Sequence, residues 1–174
     1  MPTEVKGAVA LRKSLRAFAP ELAKETQKEI AGFLKPVVRQ ARGYMPSNAE
    51  VPSGWVLGTQ KGKWARVAYD ANIARRGIGY KTTPSRANRR GFRALASILN
   101  KSASGAIYET AGRKSGIQGR FTPRLNGQLV GEGQKMTGRA MFRAYSEDQG
   151  KAKAHVIQAI FKAANKLNMR ATRG

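Results

Sequence analysis

The sequence predicts an α+β fold, and three observations carry that expectation. Apolar residues recur at helical spacing in one long run near the start of the chain and in another near its end. Between these runs lie short segments rich in β-branched and aromatic residues, separated by Gly, Ser, Asn and Thr. No internal repeat or heptad interrupts the order of helix, strands, helix. The expected architecture is one α+β domain over residues 1–174. A long kinked N-terminal helix and a C-terminal amphipathic helix pack on a small antiparallel sheet, with long basic loops.

Residues 1–19 form an N-terminal arm or short helix. Within it Lys6–Ala17 has apolar Val9 and Leu15 and polar Arg12, Lys13 and Arg16. Pro20 suits the first turn of a longer helix, and Glu21 suits its positive end. Leu22, Thr26, Ile30, Phe33, Leu34, Val37, Ala41 and Tyr44 continue one face at spacings of three and four. Gly43 and Pro46 mark its stop. Pro36 cannot donate to the carbonyl of Gly32, which predicts a kink.

Pro46–Gly54 reads as a polar loop. Trp55–Gly58 and Lys63–Tyr69 read as the two strands of a hairpin around Gln60-Lys61-Gly62. Residues 70–91 read as a basic loop. Arg93–Asn100 and Ala106–Ala111 are two further candidate strands, although Phe92, Leu95, Ile98 and Leu99 fit a short helix equally. Residues 112–138 contain seven glycines and read as a Gly-rich basic loop or arm. The last helix spans Glu147–Asn168, with Ser146 as its N-cap and Val156, Ile157, Ile160, Phe161, Ala164 and Leu167 on one face. His155 falls opposite that face and is expected in solvent. Residues 169–174 form a C-terminal tail.

Charge is the strongest functional signal. The 174 residues carry 33 Lys and Arg against 10 Asp and Glu, for a net charge of +23. Residues 1–60 hold +4, residues 61–143 hold +15, and residues 144–174 hold +4. Arg75, Arg76, Lys81, Arg86, Arg89, Arg90 and Arg93 form one cluster; Arg113, Lys114, Arg120 and Arg124 form a second. Self-repulsion on this scale calls for an anionic partner. Loops of this composition suit phosphate contact without base reading, through forked Arg contacts. Phe33, Val37, Tyr108, Glu109, Phe142, Ile160 and Phe161 are the expected core or subunit-interface residues.

Several chemistries are excluded. The chain has no Cys, so it has no disulfide, thiolate or Cys-ligated zinc. Its one His cannot build a multi-histidine metal site. A catalytic triad would have to use His155, which sits among lysines. The Gly-rich stretches 112–116 and 127–133 lack the frames of phosphate-binding loops. Asp70, Glu109 and Glu132 remain as candidates for a Mg²⁺-dependent nuclease, without a pair at short spacing. The reading is therefore of a non-enzyme with no cofactor and no metal. No apolar run approaches the ~18 residues of a membrane span. Met1–Val5 lacks the charged-then-apolar start of a secretory leader, so synthesis in the cytosol is expected.

Three segments resemble, in order, a known family. Lys35-Pro36-Val37-Val38-Arg39-Gln40-Ala41-Arg42 followed by Met45-Pro46 is similar to the end of the N-terminal helix of tailed-phage neck and tail-completion proteins. Gly105-Ala106-Ile107-Tyr108-Glu109-Thr110-Ala111-Gly112-Arg113-Lys114 resembles a strand and turn of that family. Gly138-Arg139-Ala140-Met141-Phe142-Arg143-Ala144 and the helix after it resemble its C-terminal element. The succession covers roughly residues 6–168, while residues 70–104 match poorly. The resemblance implies a structural virion protein that forms a homo-oligomeric, hexameric ring at the neck. Its implied partners are the head connector or stopper, the tail terminator and the tail tube. Packaged double-stranded DNA would be met through phosphates, with the protein in the host cytoplasm during assembly and in the virion afterwards. A tail-terminator ring, or a free sequence-independent nucleic-acid-binding protein, is the alternative.

Overall fold

The first two helices form where the apolar spacing places them. In the computed structural model, α1 spans Ala8–Phe18 and α2 spans Pro20–Gly43. Residues 7–59, 61–62, 67–89, 91–113, 121–132 and 136–172 are described. Ala19 divides the two helices: its N–H still bonds the Leu15 carbonyl at 2.9 Å, while its own carbonyl accepts from Ala23 at 3.0 Å. The second helix includes Pro36 and continues seven residues beyond it, as an amphipathic helix held by tertiary packing can.

The chain groups into two compact units, each assembled from separated stretches of sequence. The first comprises Met1–Lys35, Tyr80–Ser97 and Gly150–Gly174; the second comprises Pro36–Gly79 and Ile98–Gln149.

In the first unit, α1, the start of α2 and the C-terminal helix pack together. The C-terminal helix is α6, Lys151–Ala171. Leu15, Ala19, Leu22, Ala23 and Ala163 form one buried cluster, with Leu11 and Leu167 packed against it. Three of these five residues are alanines, which let helix backbones approach closely. Lys166 pairs with Glu25 at 2.6 Å and Lys162 with Glu29 at 3.3 Å, so α2 and α6 run antiparallel. The same register brings His155 onto Phe33, with ring centroids 4.4 Å apart and planes 17° from parallel. His155 is exposed, as expected, but it lies flat on an aromatic face. Phe33 is only half-buried and Phe161 is 57% exposed, whereas Ile160 is 2% exposed. Of the core residues expected on these helices, Ile160 is core and Phe161 is surface. A helical stripe read at 100° per residue places both on one face; the packing uses only its centre.

The second unit departs most from the sequence reading. Ser53–Trp55 is a turn of 3-10 helix, not a strand. Val56 and Tyr69 form an isolated parallel bridge in place of an antiparallel hairpin. Pro52-Ser53-Gly54 favours the turn. Trp55 is then buried against Tyr69 at 4.9 Å and Phe121 at 5.0 Å. Most of the second expected strand, 63–66, lies outside the described residues.

Residues 70–91 are not all loop. Asp70 caps α3, Ala71–Gly77, by accepting from the Ile73 N–H at 2.8 Å. Strand β1, Ile78–Lys81, follows and pairs with β2, Ser97–Asn100. The ambiguous run 92–100 is thus a strand in its last four residues. Ala106–Ala111 is not a strand but part of α4, Ala103–Thr110. Ser102 caps it, and its buried positions are 104, 105, 108 and 109, a helical pattern that a short apolar run cannot announce. The Gly-rich stretch 112–138 contains a 3-10 turn at Thr122–Arg124 and an antiparallel hairpin. Its strands β3, Val130–Glu132, and β4, Met136–Gly138, pair Val130 with Gly138. Among the described residues the strands therefore make two two-stranded ribbons.

The expected helix over 147–168 is split. Ser146 and Glu147 belong to α5, Met141–Glu147, so Ser146 is not an N-cap. Gln149 (φ 52°) and Gly150 (φ 77°) take left-handed backbone and turn the chain before α6 begins. Glu147 is drawn away from the later helix by partners of its own. Tyr44 and Gln40 donate to one carboxylate oxygen, and Arg143 donates to the other at 3.0 Å.

Three exposed carboxylates share a pH signature. Glu147 is held below the usual range first by the Tyr44 hydroxyl and then by Arg143. Glu50 is held low by the Ser47 N–H and hydroxyl of a capping box, and Glu25 by Lys166. Each is depressed in the folded state, so its stabilisation is present above the unfolded Glu value of about 4.3 and disappears as pH falls through the lower folded value. The melting temperature is expected to hold from neutrality to about pH 5 and to fall below that. Thermal melts of a Glu25→Gln/Glu50→Gln/Glu147→Gln variant should show a flatter acid limb. A limb as steep as the parent's would mean these bonds do not carry it.

Candidate polyanion-binding loop

No acidic residue occurs between Asp70 and Glu109, while eight Lys and Arg do. The centre of this stretch, residues 82–96 between β1 and β2, belongs with Lys81 to the first unit. It is built rather than slack. The Ser85 N–H donates to the Ala94 carbonyl at 2.8 Å, and the Ala94 N–H returns to the Ser85 hydroxyl at 2.9 Å. Further out, the Asn88 N–H donates to the Phe92 carbonyl at 2.9 Å, and the Asn88 side chain accepts from the Phe92 N–H at 2.9 Å. Gly91, at φ 75°, closes the turn in a conformation few other residues adopt. These pairs fix the path of the loop's described residues from within. Lys81, Arg86, Arg89 and Arg93 are all exposed.

Arg12 holds the base of this loop. Its guanidinium donates to the Leu95 carbonyl at 2.8 Å and, closely, to the Thr82 carbonyl, one residue at each end. The side chain is 6% exposed, against the expectation of a polar surface position. Burial first, and then the neighbouring charge of Arg16, pull its pKa down. Arg12 stands four residues after Ala8 and three before Leu15, both buried, so it lies on the apolar stripe of α1. An arginine within such a stripe is the sequence signal that could have found it.

The remaining candidates divide. Arg76 and Arg124 are exposed. Arg75 is half-buried and donates to the Met45 carbonyl at 2.9 Å, and Arg113 donates to the Thr137 carbonyl and lies over the Phe142 ring at 4.9 Å. These two hold the second unit together rather than face a partner. Arg90, Lys114 and Arg120 lie outside the described residues. Arg42 and Arg139, which lie outside both basic clusters, also serve backbone carbonyls. Arg42 donates to Ile78; Arg139 donates to Gly127, Tyr108 and Ala111 at 3.0, 2.9 and 2.7 Å. Burial lowers the pKa of Arg139 and raises that of Tyr108.

Glu109 is 1% exposed and accepts three backbone N–H groups, from Ala140 (2.9 Å), Met141 (3.1 Å) and Phe142 (2.9 Å). It caps the start of α5 and supports packing. Its neighbour Tyr108 is buried and donates to the Asn126 carbonyl at 2.7 Å. Val37 is buried and Phe142 half-buried. A Cβ on Gly138 would run into the Glu109 carboxylate, so glycine is required there. Asp70 and Glu109, two of the three nuclease candidates, are thus committed to helix capping, and nothing is described of the Glu132 side chain. Among the described residues no three His, Asp or Glu side chains gather where a metal ion could sit. Nor is any described helix long and apolar enough to cross a membrane.

The chain is thus an α+β protein with a clamped, arginine-rich loop. No family model, no curated protein and no solved structure matches it.

Proposed function

We propose that this chain is a non-enzymatic structural protein of tailed-phage particles. It forms a homo-oligomeric, hexameric ring at the neck that joins the head connector to the tail, with its basic loops turned to DNA or to acidic neighbouring subunits. The observation that carries this reading is the succession of three family-like segments along most of the chain. Its neighbours would be the connector or stopper, the tail terminator and the tail tube.

Two findings support it. The three segments all contribute buried residues to the second unit, Met45 from the first, Tyr108 and Glu109 from the second and Arg139, Ala140 and Ala144 from the third, and Arg139 and Glu109 bond across between the last two. The resemblance is therefore carried by residues that determine a fold, although the segment expected to be strand and turn is a helix. The charge is the second. Ten acidic side chains can offset at most ten of the 33 cations, so the surplus needs an outside partner. Exposed Phe161 is a candidate subunit contact.

Immunogold labelling and cryo-electron microscopy of purified particles should place the chain between portal and tail tube. Its absence from particles would sink the reading, and density capping the tube's upper end would favour the terminator alternative. Replacing Arg86, Arg89, Arg90 and Arg93 together with Ala should leave the fold intact and lower particle yield or DNA retention. Unchanged yield and infectivity would mean that the loop is only a solvated surface.

A further inference from the structure

We propose that the partner of the 81–93 loop is the phosphate backbone of duplex DNA, bound without base reading, and that Arg12 is the positioning residue that presents the loop. The inference rests on the reading above, which leaves DNA and acidic protein open, and it chooses between them.

The loop's composition favours phosphate. From Thr82 to Gly91 there is no acidic and no large apolar residue. Protein interfaces draw their strength from desolvated aromatic or aliphatic anchors, and within residues 82–96 Phe92, at 38%, is the one large apolar side chain in the exposed class. Phosphate oxygens, by contrast, are met by arginine forks and by Ser, Thr and Asn donors of the kind found here.

The loop's geometry agrees. Arg86 follows Ser85 and Arg93 precedes Ala94, so both adjoin the Ser85–Ala94 pair, and Arg89 stands in the turn beyond it. The pairs at 85–94 and 88–92 fix where these cations leave the backbone. Arg, Ser, Thr and Asn donors of this kind most often meet phosphate and sugar oxygens, which places the contact on the sugar–phosphate surface.

Arg12 supplies the remaining clue. Burying a guanidinium costs desolvation that a merely solvated loop does not require. Here the buried guanidinium ties Thr82 to Leu95, closing the base of the loop before any partner arrives. A loop ordered in advance loses less entropy on binding.

The test is fluorescence anisotropy of a random-sequence duplex titrated with the full chain across a NaCl series. The Arg86→Ala/Arg89→Ala/Arg93→Ala variant should keep its circular dichroism and lower the log–log salt slope by about 2.7, near 0.9 for each phosphate no longer neutralised. Lys24→Ala/Lys28→Ala/Lys35→Ala removes the same charge from exposed positions of α2 and should leave the slope near the parent's. Equal falls in the two variants overturn the proposal, because binding would then be diffuse. Poly-glutamate competing as well as DNA per unit charge overturns it in favour of an acidic protein. For Arg12, Arg12→Met should weaken binding about tenfold at unchanged slope and speed amide exchange at Ser85 and Ala94 but not in α6. Lys13→Met, an exposed charge loss on the same helix, should do neither, and Arg12→Lys should recover part of the loss. If Arg12→Met behaves as Lys13→Met does, the positioning role is wrong. A parent chain that binds no duplex DNA overturns the inference while leaving the neck placement to be decided on particles.

Discussion

Replacing Glu109 with Ala should destabilise the second unit by on the order of 3–5 kcal/mol. The reason is local and additive in direction. Three backbone N–H groups, from Ala140, Met141 and Phe142, lose their shared acceptor at once. Water cannot readily replace it, since the Glu109 side chain is almost wholly enclosed. Beside it, Arg139 would also lose a nearby negative charge that helps keep its buried guanidinium charged. Glu109→Gln retains one acceptor oxygen and should cost less, about 2 kcal/mol. Chemical denaturation followed by tryptophan fluorescence reads this directly, because Trp55 is buried in the same unit. An Ala variant within about 1 kcal/mol of the parent would show that the bonds are solvated in solution and that the packing argument is wrong.

The second large effect separates two adjacent residues. Ile160→Asp should abolish the folding of the first unit, and Phe161→Asp should change stability by less than about 1 kcal/mol. Both substitutions add one negative charge to the same turn of the same helix, so net charge cannot explain a difference. The distinction is burial: Ile160 is enclosed and Phe161 is mostly in solvent. An aspartate at 160 would have to be buried without a partner or expel the helix from its neighbours. Helix content by far-UV circular dichroism, measured on heating, distinguishes the two. Phe161→Asp folding normally while blocking self-association would support its place as a subunit contact. Equal loss of folding in both variants would mean that Phe161 is covered in the native protein.

Much of the helical framework is legible in the sequence because its signal is long-range along the chain. The stripe from Leu22 to Tyr44 repeats over six turns, and few other structures satisfy it. The strand assignments fail where the runs are short. Ala106–Ala111 is only six residues long and reads as a strand, but Ser102 caps a helix at one end and Glu109 reaches α5 from the other. Trp55 and Tyr69 look like strand aromatics because they are large and spaced by a turn. They are partners in an aromatic cluster, tilted 43° to each other, beside a single parallel bridge in which the Tyr69 N–H donates to the Trp55 carbonyl at 2.6 Å and the Leu57 N–H to the Tyr69 carbonyl at 2.8 Å.

The candidate loop shows the same division. Its charge is legible residue by residue, since a solvent-exposed arginine stays protonated at any working pH. Which arginines are free is not legible. Arg75 and Arg93 look alike in sequence, both within one basic cluster. Tertiary packing gives the first to the Met45 carbonyl and leaves the second in solvent.

The sequence alone therefore determined the α+β class, the two framework helices, the absence of thiol and multi-histidine chemistry, and the size and location of the charge surplus. Composition and periodicity are properties of the chain that survive any folding. Only the tertiary structure decided the two units, the division of the last helix at Gly150, the burial of Arg12, Glu109 and Arg139, and the closure of the 82–95 loop. The burial of Arg12, Glu109 and Arg139 and the closure of the loop depend on a buried polar group finding its partner at a distance in sequence, such as Arg12 with Leu95 or Glu109 with Ala140. A buried hydrogen bond must be made somewhere, but local sequence does not say with whom.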